Sequence, residues 1–129
     1  MIEGCLFIFC GEEGVQPQSA RVWQLANEYR VLPRVAFVNK LDLPGVDGAK
    51  VLRQMRIQLG AKAYAIEMPW REGDALKGVI DLVTLKAYRY TVSRSGQAWS
   101  EVVCPPGLKE TAQRWQQELL TELLKRGTR

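Results

Sequence analysis

Histidine is missing from all 129 residues. That absence excludes histidine-based nucleophilic triads and histidine metal sites. Cysteine is scarce: Cys5, Cys10 and Cys104 are an odd number without metal-ligand spacing. They read as reduced, buried thiols of a reducing compartment. Long apolar runs are lacking too. The longest, Cys5 to Cys10, falls far below the ~20 residues needed to span a bilayer, so no membrane partner is expected. No charged leader with a cleavage site precedes it, so no signal peptide is expected. Basic residues form no run. The net charge of +4 and pI near 9.1 suit an RNA-rich neighbourhood, yet read as a solvated surface. Also absent is any Gly-x-x-x-x-Gly-Lys-Ser/Thr loop, so no backbone cradle or lysine for phosphates is in sight.

What remains is globular in composition, with 47% hydrophobic and 25% charged residues, in a chain long enough for one domain or one and a piece of another. Two short apolar runs, Cys5–Cys10 and Val35–Val38, read as buried strands of a parallel sheet. Gly11 to Gln18 reads as a loop. Ser19 is the expected cap of a helix whose apolar face is Val22, Leu25, Ala26 and Tyr29. Asp47 is the expected cap of a second helix burying Val51, Leu52, Met55 and Leu59, with Gly60 as its stop. Strand, helix, strand, helix is the pattern of crossover units on a parallel sheet.

The pattern changes beyond Gly60. Tyr64, Ile66 and Met68 alternate with smaller or polar residues. Leu76–Val83, Leu85–Val92 and Trp99–Val103 follow as closely spaced strands, which suits an antiparallel sheet. From Pro106 a helix carries the stripe Leu108, Ala112, Trp115, Leu119 and Leu123, with Glu122 and Arg126 as an i,i+4 pair. The expected boundary falls near residue 60–62.

A polar cluster stands where the second strand ends: Asn39-Lys40-Leu41-Asp42, then Pro44 and Gly45. Ligands of open parallel α/β sheets bind at such carboxyl ends. Asn-Lys-x-Asp in this place resembles the guanine-specificity motif of GTP-binding proteins. Guanine offers two adjacent donors, N1–H and N2–H₂, and one carboxylate can accept both. Adenine offers an acceptor at N1 and no amine at C2, leaving the carboxylate unpaired. Penalties of that kind discriminate by up to ~10⁴-fold. By resemblance, Asp42 takes the guanine donors, Asn39 braces the neighbouring loop, and Lys40 lays its methylene stem along the base.

The wording around the motif narrows the resemblance. Gly14-Val15-Gln16-Pro17-Gln18-Ser19, Trp23, Pro33 to Asp42, Gln54 to Leu59, Pro69, Leu76 to Val83 and Lys86-Ala87 together are similar to the elongation factor G family of translational GTPases. The resemblance implies an α/β fold: a partial P-loop-NTPase-type parallel sheet over residues 1–60, part of a GTP-binding domain, then a small α+β insert subdomain over residues 61–129. It implies GTP or GDP as ligand through Asn39, Lys40 and Asp42, and the ribosome and its stalk protein as partners. It also implies protein synthesis in a bacterial-type cytoplasm, with an organelle left open.

The family's phosphate loop, magnesium-holding switch threonine and Asp-x-x-Gly motif do not occur in their places. Asp42-Leu43-Pro44-Gly45 spells the last, but Asp42 already belongs to the guanine motif. Magnesium is therefore expected only in a full-length family member. No residue here takes a catalytic or metal-ligating role, and this chain alone is expected to be inactive. Leu43 stands where the family usually has a basic residue, and Leu32 looks like an extra residue before Pro33. Two other readings stay open: a non-catalytic ribosome- or stalk-binding module, and a related translational GTPase such as a release factor or ribosomal-protection protein. An apolar first strand without a further neighbour also points to self-association.

Overall fold

The computed structural model describes residues 4–127, with side chains through Lys125. It divides into two compact units, Met1–Ala63 and Tyr64–Arg129, against an expected boundary at 60–62. Local hydrogen bonds hold Ala61 and Ala63 to the first unit. Ala61 N–H donates to the Met55 carbonyl at 3.2 Å, and Arg56 Nε donates to the Ala63 carbonyl at 2.8 Å.

The first unit is β1 (Cys5–Cys10), α1 (Pro17–Glu28), β2 (Arg34–Asn39) and α2 (Gly48–Gln58). The two strands pair in parallel, Cys5 against Arg34 through Cys10 against Asn39. With Leu32 and Pro33 just ahead of β2, the register is unbroken from end to end. Cys5 N–H still donates to the Pro33 carbonyl at 3.1 Å, and the Arg34 guanidinium lies 4.6 Å from the Trp23 ring centroid. Phe7 and Phe9 of β1 meet Ala26 of α1 and Val51 and Met55 of α2 in one buried cluster, with Trp23 and Val38 packed against it.

The strands are only half buried, contrary to expectation. Leu6, Ile8, Val35 and Phe37 share the other face, and each is more than half exposed. Successive strand side chains alternate faces, and the helices cover only the one bearing Phe7 and Phe9.

The first helix departs from expectation at its start and in its buried face. Gln16 is its N-cap, makes no side-chain cap bond, and leaves Pro17 in the first turn. Proline fixes φ for a helix start and lacks an N–H that would otherwise need a partner, so Ser19 is not needed as a cap. Of the expected face only Ala26 is buried, while Val22, Leu25 and Tyr29 are exposed. Trp23 takes their place, its ring 4.9 Å from that of Phe7, which turns the helix so that the Trp23–Ala26 stripe meets the sheet. The second helix starts and stops where its sequence says, burying Val51 and Met55 while Leu52 and Leu59 are half-buried. Asp47 accepts from Ala49 N–H at 2.9 Å, and Gly60 adopts the left-handed φ of 64° just past the end.

The second unit is β3 (Glu67–Glu72), β4 (Ala75–Asp81), β5 (Ala87–Ser93), β6 (Gly96–Val102) and α3 (Pro106–Gly127). The strands form an antiparallel sheet in sequence order. Pro69 lies within β3, which is possible because β3 is an edge strand. Strand β4 stops at Asp81, short of the expected Val83. There the Asp81 carboxylate accepts from Val83 N–H at 2.8 Å and Thr84 N–H at 3.3 Å, turning the chain back. Met68, Trp70, Ile80, Leu82, Ala87 and Ala112 form the core, with Leu108 and Trp115 packed on it. Leu119 is buried as expected, whereas Leu123 is exposed. The Arg126 half of the expected pair with Glu122 has its side chain outside the described residues.

Candidate functional site

The carboxyl end of β2 is built on backbone hydrogen bonds to its neighbour. Gly11, just past β1, donates its N–H to the Asn39 carbonyl at 2.8 Å, carrying the parallel ladder one step beyond the strands. The Asn39 side chain then turns on its own segment, its Oδ1 accepting from Lys40 N–H at 2.9 Å. Lys40 sits at φ 60°, a left-handed conformation that costs a non-glycine residue about 1 kcal/mol. Strain of this sort collects at ligand sites. Two loose turns follow, Leu43 N–H to the Lys40 carbonyl at 3.3 Å and Val46 N–H to the Leu43 carbonyl at 3.4 Å. Gly45 takes a φ of 76°, and Val46 is buried.

Asn39, Lys40 and Asp42 are all exposed, so the structure brings the three expected residues together on one solvent-facing turn. A carboxylate there can accept two donors from an approaching base. Beside the turn is a cleft of about 120 Å³ between the loop after β1 and the start of α2, lined among others by Gly11, Glu13, Val46, Asp47 and Gln54. Among the described residues no group of three or more acidic, histidine or cysteine side chains is placed to hold a metal ion.

Sequence reasoning missed Gln54. Its Oε1 accepts from Val15 N–H at 2.9 Å across thirty-nine positions of sequence, tying α2 to the loop after β1. Gln54 stands in a stretch that carries the family resemblance, but its own local signal is just a polar residue next to Met55, on the edge of a helix's apolar face.

A parallel strand pair with a guanine-type motif at its carboxyl end has counterparts among known proteins. The profile of the family described as "Elongation factor Tu GTP binding domain" matches residues 1–125. The chain belongs to this GTP-binding domain family. An elongation factor G from Aquifex pyrophilus is 37% identical over 124 residues, which covers 96% of this chain and 18% of that protein. A crystal structure from Thermus thermophilus superposes with a TM-score of 0.83 at 33% identity, covering 96% of this chain and 18% of that one. The chain thus spans about a fifth of the length of these relatives.

Within this GTP-binding domain family the left-handed Lys40 invites a direct test. Glycine adopts that φ without penalty, so Lys40→Gly should relieve about 1–2 kcal/mol of strain. The freer unfolded chain takes back about 0.4–1 kcal/mol, leaving a net stabilisation of the first unit of about 0.5–1 kcal/mol. Slower amide exchange at Phe7–Phe9 would show it; unchanged or faster exchange would mean the lysine conformation is not strained.

Proposed function

We propose that this chain supplies the guanine-recognising part of an elongation-factor-G-type translational GTPase. In this reading residues 1–60 are part of the GTP-binding domain and residues 61–129 are its insert subdomain. Asp42 accepts the N1–H and N2–H₂ donors of guanine, Lys40 lies along the base, and Asn39 holds the turn. The observation that carries the reading is the turn at the end of β2, where Asn39 closes on Lys40 N–H at 2.9 Å and leaves Asp42 exposed. GTP or GDP is the ligand, the ribosome and its stalk protein are the partners, and the cytoplasm is the setting. Among the described residues no helix is long and apolar enough to cross a membrane. Phosphate and magnesium chemistry would come from residues this chain does not contain.

One observation favours a second reading, a ribosome- or stalk-binding module without catalysis. The second unit has its own buried core, with Ile80, Leu82, Ala87 and Ala112 fully buried.

The test compares nucleotides differing by one amine. In a longer polypeptide joining these residues to a phosphate-binding loop, inosine diphosphate lacks the N2 amine that Asp42 would accept. It should bind about tenfold to a hundredfold more weakly than GDP, because one carboxylate oxygen is left unpaired. Equal affinities would remove Asp42 from base recognition.

A further inference from the structure

The geometry points to Gln54 as a positioning residue for the Asn39–Asp42 turn, an inference that rests on the guanine reading above. From outside the turn a backbone bond grips its first residue, Gly11 N–H to the Asn39 carbonyl at 2.8 Å. Gly11 is the second residue of a tight five-residue turn, Cys10 to Gly14, that closes with Gly14 N–H on the Cys10 carbonyl at 2.7 Å. Gly14 is left-handed, φ 72°, and a Cβ on it would overlap the Gln54 carboxamide. The next residue, Val15, donates its N–H to Gln54 Oε1 at 2.9 Å in a part-buried setting. The backbone N–H of Val15 must be the donor, so the carboxamide can only present its oxygen.

Helix α2 therefore reaches the motif by two routes. Directly, Asp47 and Val46 connect its start to the turn. Indirectly, Gln54 fixes the loop whose first residue holds Asn39. Val51 and Met55, buried on either side of Gln54, give the carboxamide a rigid base. A positioned side chain of this kind holds a site within a fraction of an ångström without touching the ligand. Gln54 would do so for the part of the base pocket that Asn39 braces.

The test uses two variants and two readouts. Gln54→Leu keeps the size and removes the acceptor; Gln54→Glu keeps an acceptor oxygen. In the 129-residue chain, residue-level hydrogen exchange should rise about fivefold at Val15, Gly14, Gly11 and Lys40 in the leucine variant, the equivalent of one net hydrogen bond. Phe7, Phe9 and Met55 should stay within about twofold, since loss of a local bond does not open the core. The glutamate variant should restore the pattern. Unchanged exchange at Gly11 and Lys40, equal acceleration throughout the unit, or failure of glutamate to restore would each overturn the proposal.

The second readout is GDP dissociation from a longer polypeptide with a phosphate-binding loop. It should quicken about fivefold with leucine and return with glutamate; dissociation unaltered by leucine would overturn the positioning role. Exchange needs no nucleotide. If GDP and inosine diphosphate bind alike while exchange responds as expected, the guanine reading fails and the coupling through Gln54 stands.

Discussion

Purified as the 129-residue chain, this protein should self-associate, and it should do so through its first unit. Leu6 and Ile8 of β1 stand directly beside Val35 and Phe37 of β2, and the four are 63%, 66%, 55% and 55% exposed. They make one continuous apolar face. Among the described residues the sheet that carries it has two strands, so each strand has a backbone edge free of sheet partners. Exposed apolar strands with free edges are templates for pairing, and a two-stranded sheet is marginal by itself. Val22, Leu25 and Tyr29 of α1 add further exposed apolar surface. Each large side chain withdrawn from water gains ~1.5–3 kcal/mol, against the about 5–15 kcal/mol that holds a whole domain together.

The second unit has four strands and sets a 22-residue helix over the Met68–Ile80–Ala87 face. There Ile80, Leu82, Ala87 and Ala112 are fully buried, while β5 beyond Ala87 and β6 stand largely exposed. Hydrogen exchange should therefore be slower in Tyr64–Arg129 than in Met1–Ala63. Sedimentation should show species larger than a monomer at micromolar concentration. The double variant Ile8→Thr, Phe37→Thr keeps β propensity while removing the apolar face, and it should restore the monomer. A monodisperse monomer with its stronger protection in the first unit would contradict this account of the sheet.

The features that sequence made plain are those in which one residue acts on its own backbone. Asp47 caps α2 through an N–H two positions away, and Gly60 follows that helix in the left-handed region. The turn from Asn39 to Asp42 is of this kind as well, and its place at the end of β2 was legible from an apolar run that stops at a polar cluster. What escaped were contacts made at a distance or by side chains with two readings. Asp81 fell inside the expected Leu76–Val83 strand, yet its carboxylate takes two N–H groups and ends β4. Burial misled because the apolar runs of β1 and β2 suit two covered faces, and only one is covered. Gln54 escaped because its partner Val15 belongs to another element, and no local pattern records that meeting.

Changing Asp42 to asparagine should exchange one base preference for another. The carboxylate offers two acceptors to guanine's N1–H and N2–H₂. An amide keeps one acceptor and replaces the second with a donor, which would face the guanine amine donor to donor. Xanthine carries a carbonyl where guanine carries that amine, so the amide donor meets an acceptor while the amide oxygen still takes the N1–H. An unpaired or opposed polar group costs about 1–3 kcal/mol, roughly ten- to a hundredfold per base at 1.4 kcal/mol per tenfold. The preference should thus move by a hundredfold or more in total, about the product of a loss for guanine and a gain for xanthine. Asp42 is exposed and at the tip of its turn, so the substitution should leave the core of Phe9, Val51 and Met55 unchanged. The decisive measurement is competition between GDP and xanthosine diphosphate for Asp42→Asn and the unaltered residue, in a polypeptide joining this chain to a phosphate-binding loop. Preference for GDP with aspartate and for xanthosine diphosphate with asparagine is the predicted result; the same ratio of affinities in both would contradict the assignment of Asp42 to the base.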